Sequence, residues 1–129
     1  MRRFRLPSRR FAEGNRVMPL KTWLVGTSHD MDRWTRALES LELVSDLEHR
    51  EEASGTPVGV DLVVWRAPDP LPTPHLLATL DVWLAHHPTL SVLLVGCDLE
   101  ARELAEVMQG GIREVVSDPG DLGPAIARA

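Results

Sequence analysis

The sequence predicts an α/β fold, a parallel β-sheet covered by helices on both faces. Three observations carry this expectation. The runs DLVVW (residues 61–65) and SVLLV (residues 91–95) are apolar and β-branched with no polar alternation, so both faces of each strand must be covered. Between such runs the apolar spacing becomes helical, as at Trp34, Ala37, Leu38 and Leu41. The chain has 129 residues, and single domains run to roughly 100–200.

The elements follow in order from Leu20. Residues 21–25 form an apolar run ending in Gly26-Thr27-Ser28, a strand and then a loop. Residues 31–43 are helical, with Asp30 or Asp32 as N-cap. Residues 44–47 are a weak strand. Residues 48–59 are charged and then broken by Gly55, Pro57 and Gly59, so a second helix is short or missing. Strand 61–65 is followed by a proline-rich loop over 67–74. Leu76, Leu77, Leu80, Trp83 and Leu84 line a helix that stops near His86-His87-Pro88. Strand 91–95 leads to a helix capped by Asp98, with Leu99, Leu104, Val107 and Met108 apolar and Gly110-Gly111 as its stop. Residues 112–116 form a fifth strand, and Leu122, Ala125 and Ile126 mark a short last helix.

Five strands in this length fit a flavodoxin-like doubly wound sheet of order 2-1-3-4-5. Ligands of that fold gather at the carboxyl ends of the strands.

Composition excludes several classes. Cys97 is the single cysteine, so no intramolecular disulfide forms and a reducing, cytoplasmic setting is expected. No apolar stretch approaches the roughly 20 residues of a membrane span, and no signal-peptide core follows the basic start. Charge is split along the chain. Residues 1–16 carry six arginines against Glu13, a net +5; the rest holds 8 basic and 18 acidic side chains, a net −10. The acidic body repels nucleic acid, and only residues 1–16 would attract it. Residues 1–18 are therefore read as a basic tail and residues 19–129 as the folded domain. A disordered extension, a phosphate-binding arm and a targeting peptide all remain open for the tail, as does a natural start at Met18.

Candidate chemistry is sparse. His75, His86 and His87 suggest metal only weakly, because the last two sit at a helix end, where imidazoles satisfy carbonyls and the dipole. Cys97 has no evident histidine base, and the four tryptophans read as core or interface. No metal and no cofactor is implied. The Gly26-Thr27-Ser28 loop lacks the glycine spacing of a phosphate-binding loop.

Three stretches, KTWLVGTSHD (residues 21–30), DLVVWR (residues 61–66) and MQGGIREVVSDP (residues 108–119), resemble in sequence and spacing the receiver domain of bacterial response regulators, the CheY-like fold. The resemblance covers residues 20–129. It implies that the two Mg²⁺-binding acids fall on Gly26 and Thr27, and the phospho-accepting aspartate on Arg66. The Thr or Ser ending strand 4 falls on Gly96, the lysine before the strand-5 proline on Asp118, and the aromatic switch residue on Val115. Phosphoryl transfer to a carboxylate needs a nucleophilic oxygen and a divalent cation; Gly26 has no side chain, Thr27 offers only a neutral hydroxyl, and Arg66 is a permanent cation with no nucleophilic oxygen. An Arg66–Asp118 ion pair is one arrangement open to such a site. A displaced acidic site using Asp30, Asp32 or Asp69 is another.

The resemblance thus implies a non-enzymatic pseudo-receiver that works by protein contact or self-association in bacterial signalling or assembly. The family's face of helix 4, strand 5 and helix 5 would present Arg102, Glu103, Glu106, Arg113 and Ile126. The GGIREVV style is similar to atypical receivers that precede ATPases in pilus-assembly proteins of the TadZ/CpaE kind, and the short last helix suits a chain continuing into another domain. Two alternatives remain: a flavodoxin-like domain binding a small anion at the Gly26–Ser28 loop, and a DNA-associated regulator using the Arg-rich tail.

Overall fold

A computed structural model describes residues 19–27, 29–53, 55–68 and 71–128. Its strands β1 (Leu20–Val25), β2 (Val44–Arg50), β3 (Leu62–Trp65), β4 (Ser91–Val95) and β5 (Glu114–Val116) form one sheet of order β2-β1-β3-β4-β5. Every pairing is parallel. The expected topology is the observed one.

Alternation along the central strands builds two cores. Trp23, Val25, Val63, Trp65, Val92 and Leu94 point to one face, where α2 (Thr73–His86) and α3 (Ala101–Gln109) supply Leu76, Leu80, Trp83 and Val107. Leu24, Leu62, Val64, Leu93 and Val95 point to the other, beneath α1 (Met31–Glu39) and α4 (Leu122–Arg128). All four tryptophans are buried. Trp83 packs edge-on to Trp23 and tilted against Trp65, with ring centroids 6.2 and 5.2 Å apart; such pairs contribute about 0.5–1.5 kcal/mol each beyond area burial.

Several boundaries differ from expectation. Helix α1 stops at Glu39 rather than residue 43. Ser40 turns its hydroxyl back onto the Ala37 carbonyl, and the Leu43 carbonyl accepts the Leu20 amide, which draws residues 41–43 toward the sheet. Pro74 lies in the first turn of α2 instead of the preceding loop, where its missing N–H costs no helical bond. Glu100, not Asp98, occupies the N-cap position of α3. On α3 only Val107 is buried, while Leu104 and Met108 are 39% and 43% exposed. Strand β5 has three residues rather than five, with Ile112 buried just ahead of it.

Among the described residues no helix lies between β2 and β3. Strand β2 explains why the sheet tolerates this. Its Val44 and Leu47 pack toward α1, whereas Glu48 pairs with Trp23 across the ladder and Arg50 lays its guanidinium 4.2 Å from the Trp23 ring centroid. A polar strand face needs no helical cover. A bulge interrupts the β1–β2 register between Lys21 and Trp23, with Asp46 at φ +47°. Residues 55–60 then cross the uncovered region, pinned where the Gly55 carbonyl accepts Trp83 Nε1–H at 2.7 Å and the Val60 carbonyl meets His87 Nε2, also at 2.7 Å.

At the far edge, Arg128 of α4 forms a two-point ion pair with Glu114 of β5. Hydrogen bonding from Arg128 holds the Glu114 carboxyl below the ordinary glutamate range. Because the folded-state value is depressed, the pair stabilises fully above the unfolded glutamate pKa and its contribution is lost as pH falls through the folded value. An NMR titration should place Glu114 below a free glutamate, and Arg128→Ala should return it to the ordinary range.

Candidate functional site at the carboxyl edge of the sheet

The parallel ladder brings the residues after β1, β3 and β4 to one edge. Val25 pairs with Trp65, and Trp65 with Leu94, so Gly26, Arg66 and Gly96 follow in close succession. The Arg66 amide donates to the Val25 carbonyl at 2.7 Å, and the Gly26 and Gly96 amides to the carbonyls of Arg50 and Val116.

Arg66 fills the centre of this edge. Its Nε donates to Asp30 Oδ1 and Oδ2 at 3.2 and 3.3 Å, and a terminal nitrogen donates to the Ala67 carbonyl at 2.9 Å. The two side chains are only 14% and 17% exposed, so this pair is largely withdrawn from water. Asp30 holds the N-cap position of α1 but makes no side-chain cap bond. Its carboxylate instead accepts from Arg66 and from the buried Trp34 indole N–H, 3.2 Å away.

Two glycines make room for this arrangement. A Cβ on Gly26 (φ +146°) would come within 2.6 Å of the Arg66 carbonyl oxygen. A Cβ on Gly96 (φ +72°) would sit 2.4 Å from Arg66 Nε. The guanidinium thus crosses the space that a side chain at position 96 would take, and Gly26, Gly96 and Arg66 form one steric unit.

Of the expected site positions, Gly26, Thr27, Arg66 and Gly96 lie at this edge. Asp118 does not join Arg66: it is exposed, and its carboxylate accepts from the Gly120 amide to cap the short 3-10 turn Pro119–Asp121. The expected Arg66–Asp118 pair is therefore corrected to Arg66–Asp30. The nearer acid wins because Asp30 also satisfies Trp34, four residues along α1. Ser28 and Asp69 lie outside the described residues.

Beside Arg66 a cavity of about 620 Å³ opens, lined by Gly26, Thr27, Glu51, Glu52, Trp65 and His75 among others. The two glutamates give its rim negative charge. Their part in the site was missed in the sequence, where residues 48–59 read only as a charged stretch broken by Gly55, Pro57 and Gly59.

On the presumed contact face, Arg102, Glu106 and Arg113 are exposed and Glu103 is half-buried. Ile126 is 3% exposed and packs in the α1/α4 core, so it offers nothing to a partner. No described helix is long and apolar enough to cross a membrane.

Sheet order, helix placement and the location of this edge define the CheY-like receiver fold, here with one helix fewer. Solved structures that share it include two proteins of named function. A CpaE2 pilus assembly protein from Sinorhizobium meliloti matches with a TM-score of 0.60 and 14% identity, over 84% of this chain and 98% of that one. ChrA, a response regulator of a heme-sensing two-component system, matches with a TM-score of 0.61 and 20% identity over 86% of this chain. The match spans 56% of the ChrA chain. No family model matches the sequence, nor does any curated protein.

Proposed function

We propose that this chain is a pseudo-receiver: a non-enzymatic, phosphorylation-independent module that acts by protein contact in bacterial signalling or assembly, in the cytoplasm. The observation that carries the reading is the Arg66–Asp30 pair across the carboxyl edge. Aspartate phosphorylation needs a carboxylate oxygen to attack phosphorus and a divalent cation to offset charge on the phosphoryl oxygens. Mg²⁺ prefers carboxylate and other hard oxygen ligands in octahedral array. Here Gly26 has no side chain, Thr27 is a neutral hydroxyl, and a permanent cation replaces the nucleophile. Asp30 approaches the same space with its charge already matched by the guanidinium.

Incubation with acetyl phosphate and Mg²⁺, followed by intact-mass measurement, should leave the mass unchanged. A gain of one phosphoryl group overturns the reading.

The contact face proposed is that of α3, β5 and α4. Leu104 and Met108, one helical turn apart and both exposed, add an apolar stripe between the charges of Arg102, Glu106 and Arg113. Leu104→Gln with Met108→Gln should abolish any self-association seen by sedimentation while costing no more than about 1 kcal/mol of stability, since both side chains are partly exposed and Gln is a good helix former.

Anion binding at the Gly26–Thr27 loop has less support, because Arg66 is engaged by Asp30 and Glu51 and Glu52 line the adjoining cavity. The DNA-associated alternative rests on residues 1–16, which lie outside the described residues.

A further inference from the structure

Around residues 56–60, where no described helix separates β2 from β3, lies a groove that the reading above leaves unused. Two adjoining cavities of about 280 and 700 Å³ share Thr56, Val58 and Gly59. The rim is acidic, with Asp46, Glu48 and Asp61, and it presents Val58, 85% exposed. Lys21 is the one cation among the lining residues, and Glu48 is paired at 2.9 Å with Arg50. Asp46, turned outward by the β2 bulge, has no partner among the described residues.

The complementary chemistry is present in the same chain. Residues 1–16 carry net +5 against −10 for the remainder, and they hold both phenylalanines of the protein, Phe4 and Phe11, with Leu6 between them. A purely solvated basic tail has no need of these. The chain enters β1 at Leu20, and Lys21, Thr22 and Trp23 line the groove, so the segment is tethered beside it. Sixteen residues reach up to roughly 50 Å when extended, and covalent linkage over such a reach gives an effective concentration of order millimolar. Arg50 stacked on Trp23 shows that this face accepts a guanidinium.

We propose that the Arg-rich segment of residues 1–16 docks in this groove within the same chain, its phenylalanines against Val58 and its arginines over Asp46 and Glu48. The inference stands independently of the Arg66 site.

Hydrogen exchange on the full chain tests it. At low salt, amides of residues 56–60 and 46–48 should exchange roughly tenfold more slowly than in a full-length variant with Arg2, Arg3, Arg5, Arg9 and Arg10 changed to serine. Asp46→Asn, which keeps a residue tolerant of positive φ, should lose part of that protection. Salt near 0.5 M, where charges are screened within about 4–5 Å, should remove most of it. Equal exchange in the native and Arg→Ser chains overturns the proposal. So does protection that grows with protein concentration, which would place the segment on a second copy. Duplex DNA binding through the arginines with groove exchange unchanged overturns it as well.

Discussion

Gly96→Thr, which restores the residue type that receivers carry at the end of strand 4, should destabilise this domain by about 3 kcal/mol. Two costs add. A β-branched residue is strained at φ +72°, and its Cβ would lie 2.4 Å from Arg66 Nε. Arg66 can swing aside, but only by surrendering Asp30 and leaving a largely buried carboxylate and guanidinium unmatched. Urea unfolding should show a lower midpoint with an unchanged slope. In an Arg66→Ala background the same substitution should cost about 1 kcal/mol less, because only backbone strain remains. Equal costs in both backgrounds would mean that residues 66 and 96 are not coupled.

Asp30→Ala should have a comparable effect, about 3 kcal/mol. It strips the guanidinium of its counter-charge and leaves the indole N–H of Trp34, 1% exposed, without its acceptor. Asp30→Asn keeps an acceptor for the indole and should cost less. The double variant Asp30→Ala with Arg66→Ala should be more stable than Asp30→Ala alone, since the stranded cation is gone. A double variant less stable than either single one would show that the pair contributes little beyond packing.

Much of the fold was legible because β3 and β4 are uniformly apolar and their neighbours switch cleanly to helical spacing. Strand β2 was only half visible. Its polar face looks like a charge run, and only the structure shows Glu48 and Arg50 set against Trp23. The missing helix was anticipated from Gly55, Pro57 and Gly59. The apolar positions of α3 were over-read: helical spacing marks a stripe but not whether a neighbour covers it, and Leu104 and Met108 are left open. At the site, the family resemblance assigned Gly26, Arg66 and Gly96 to the strand ends, and the parallel ladder sets these three residues along one edge. Local reading cast Asp30 as a helix cap. Its engagement by Arg66, 36 residues away, depends on a contact across the sheet edge that no short-range pattern encodes.

The most direct measurement is an amide NMR titration of the full chain with Mg²⁺ and then beryllofluoride, following Gly26, Thr27, Arg66 and Gly96. With the guanidinium seated on Asp30, these resonances should stay in place through both additions. Saturable shifts centred on Thr27 and Gly96 would reveal a working cation and phosphoryl site, and would contradict the assignment of Arg66 as its permanent occupant.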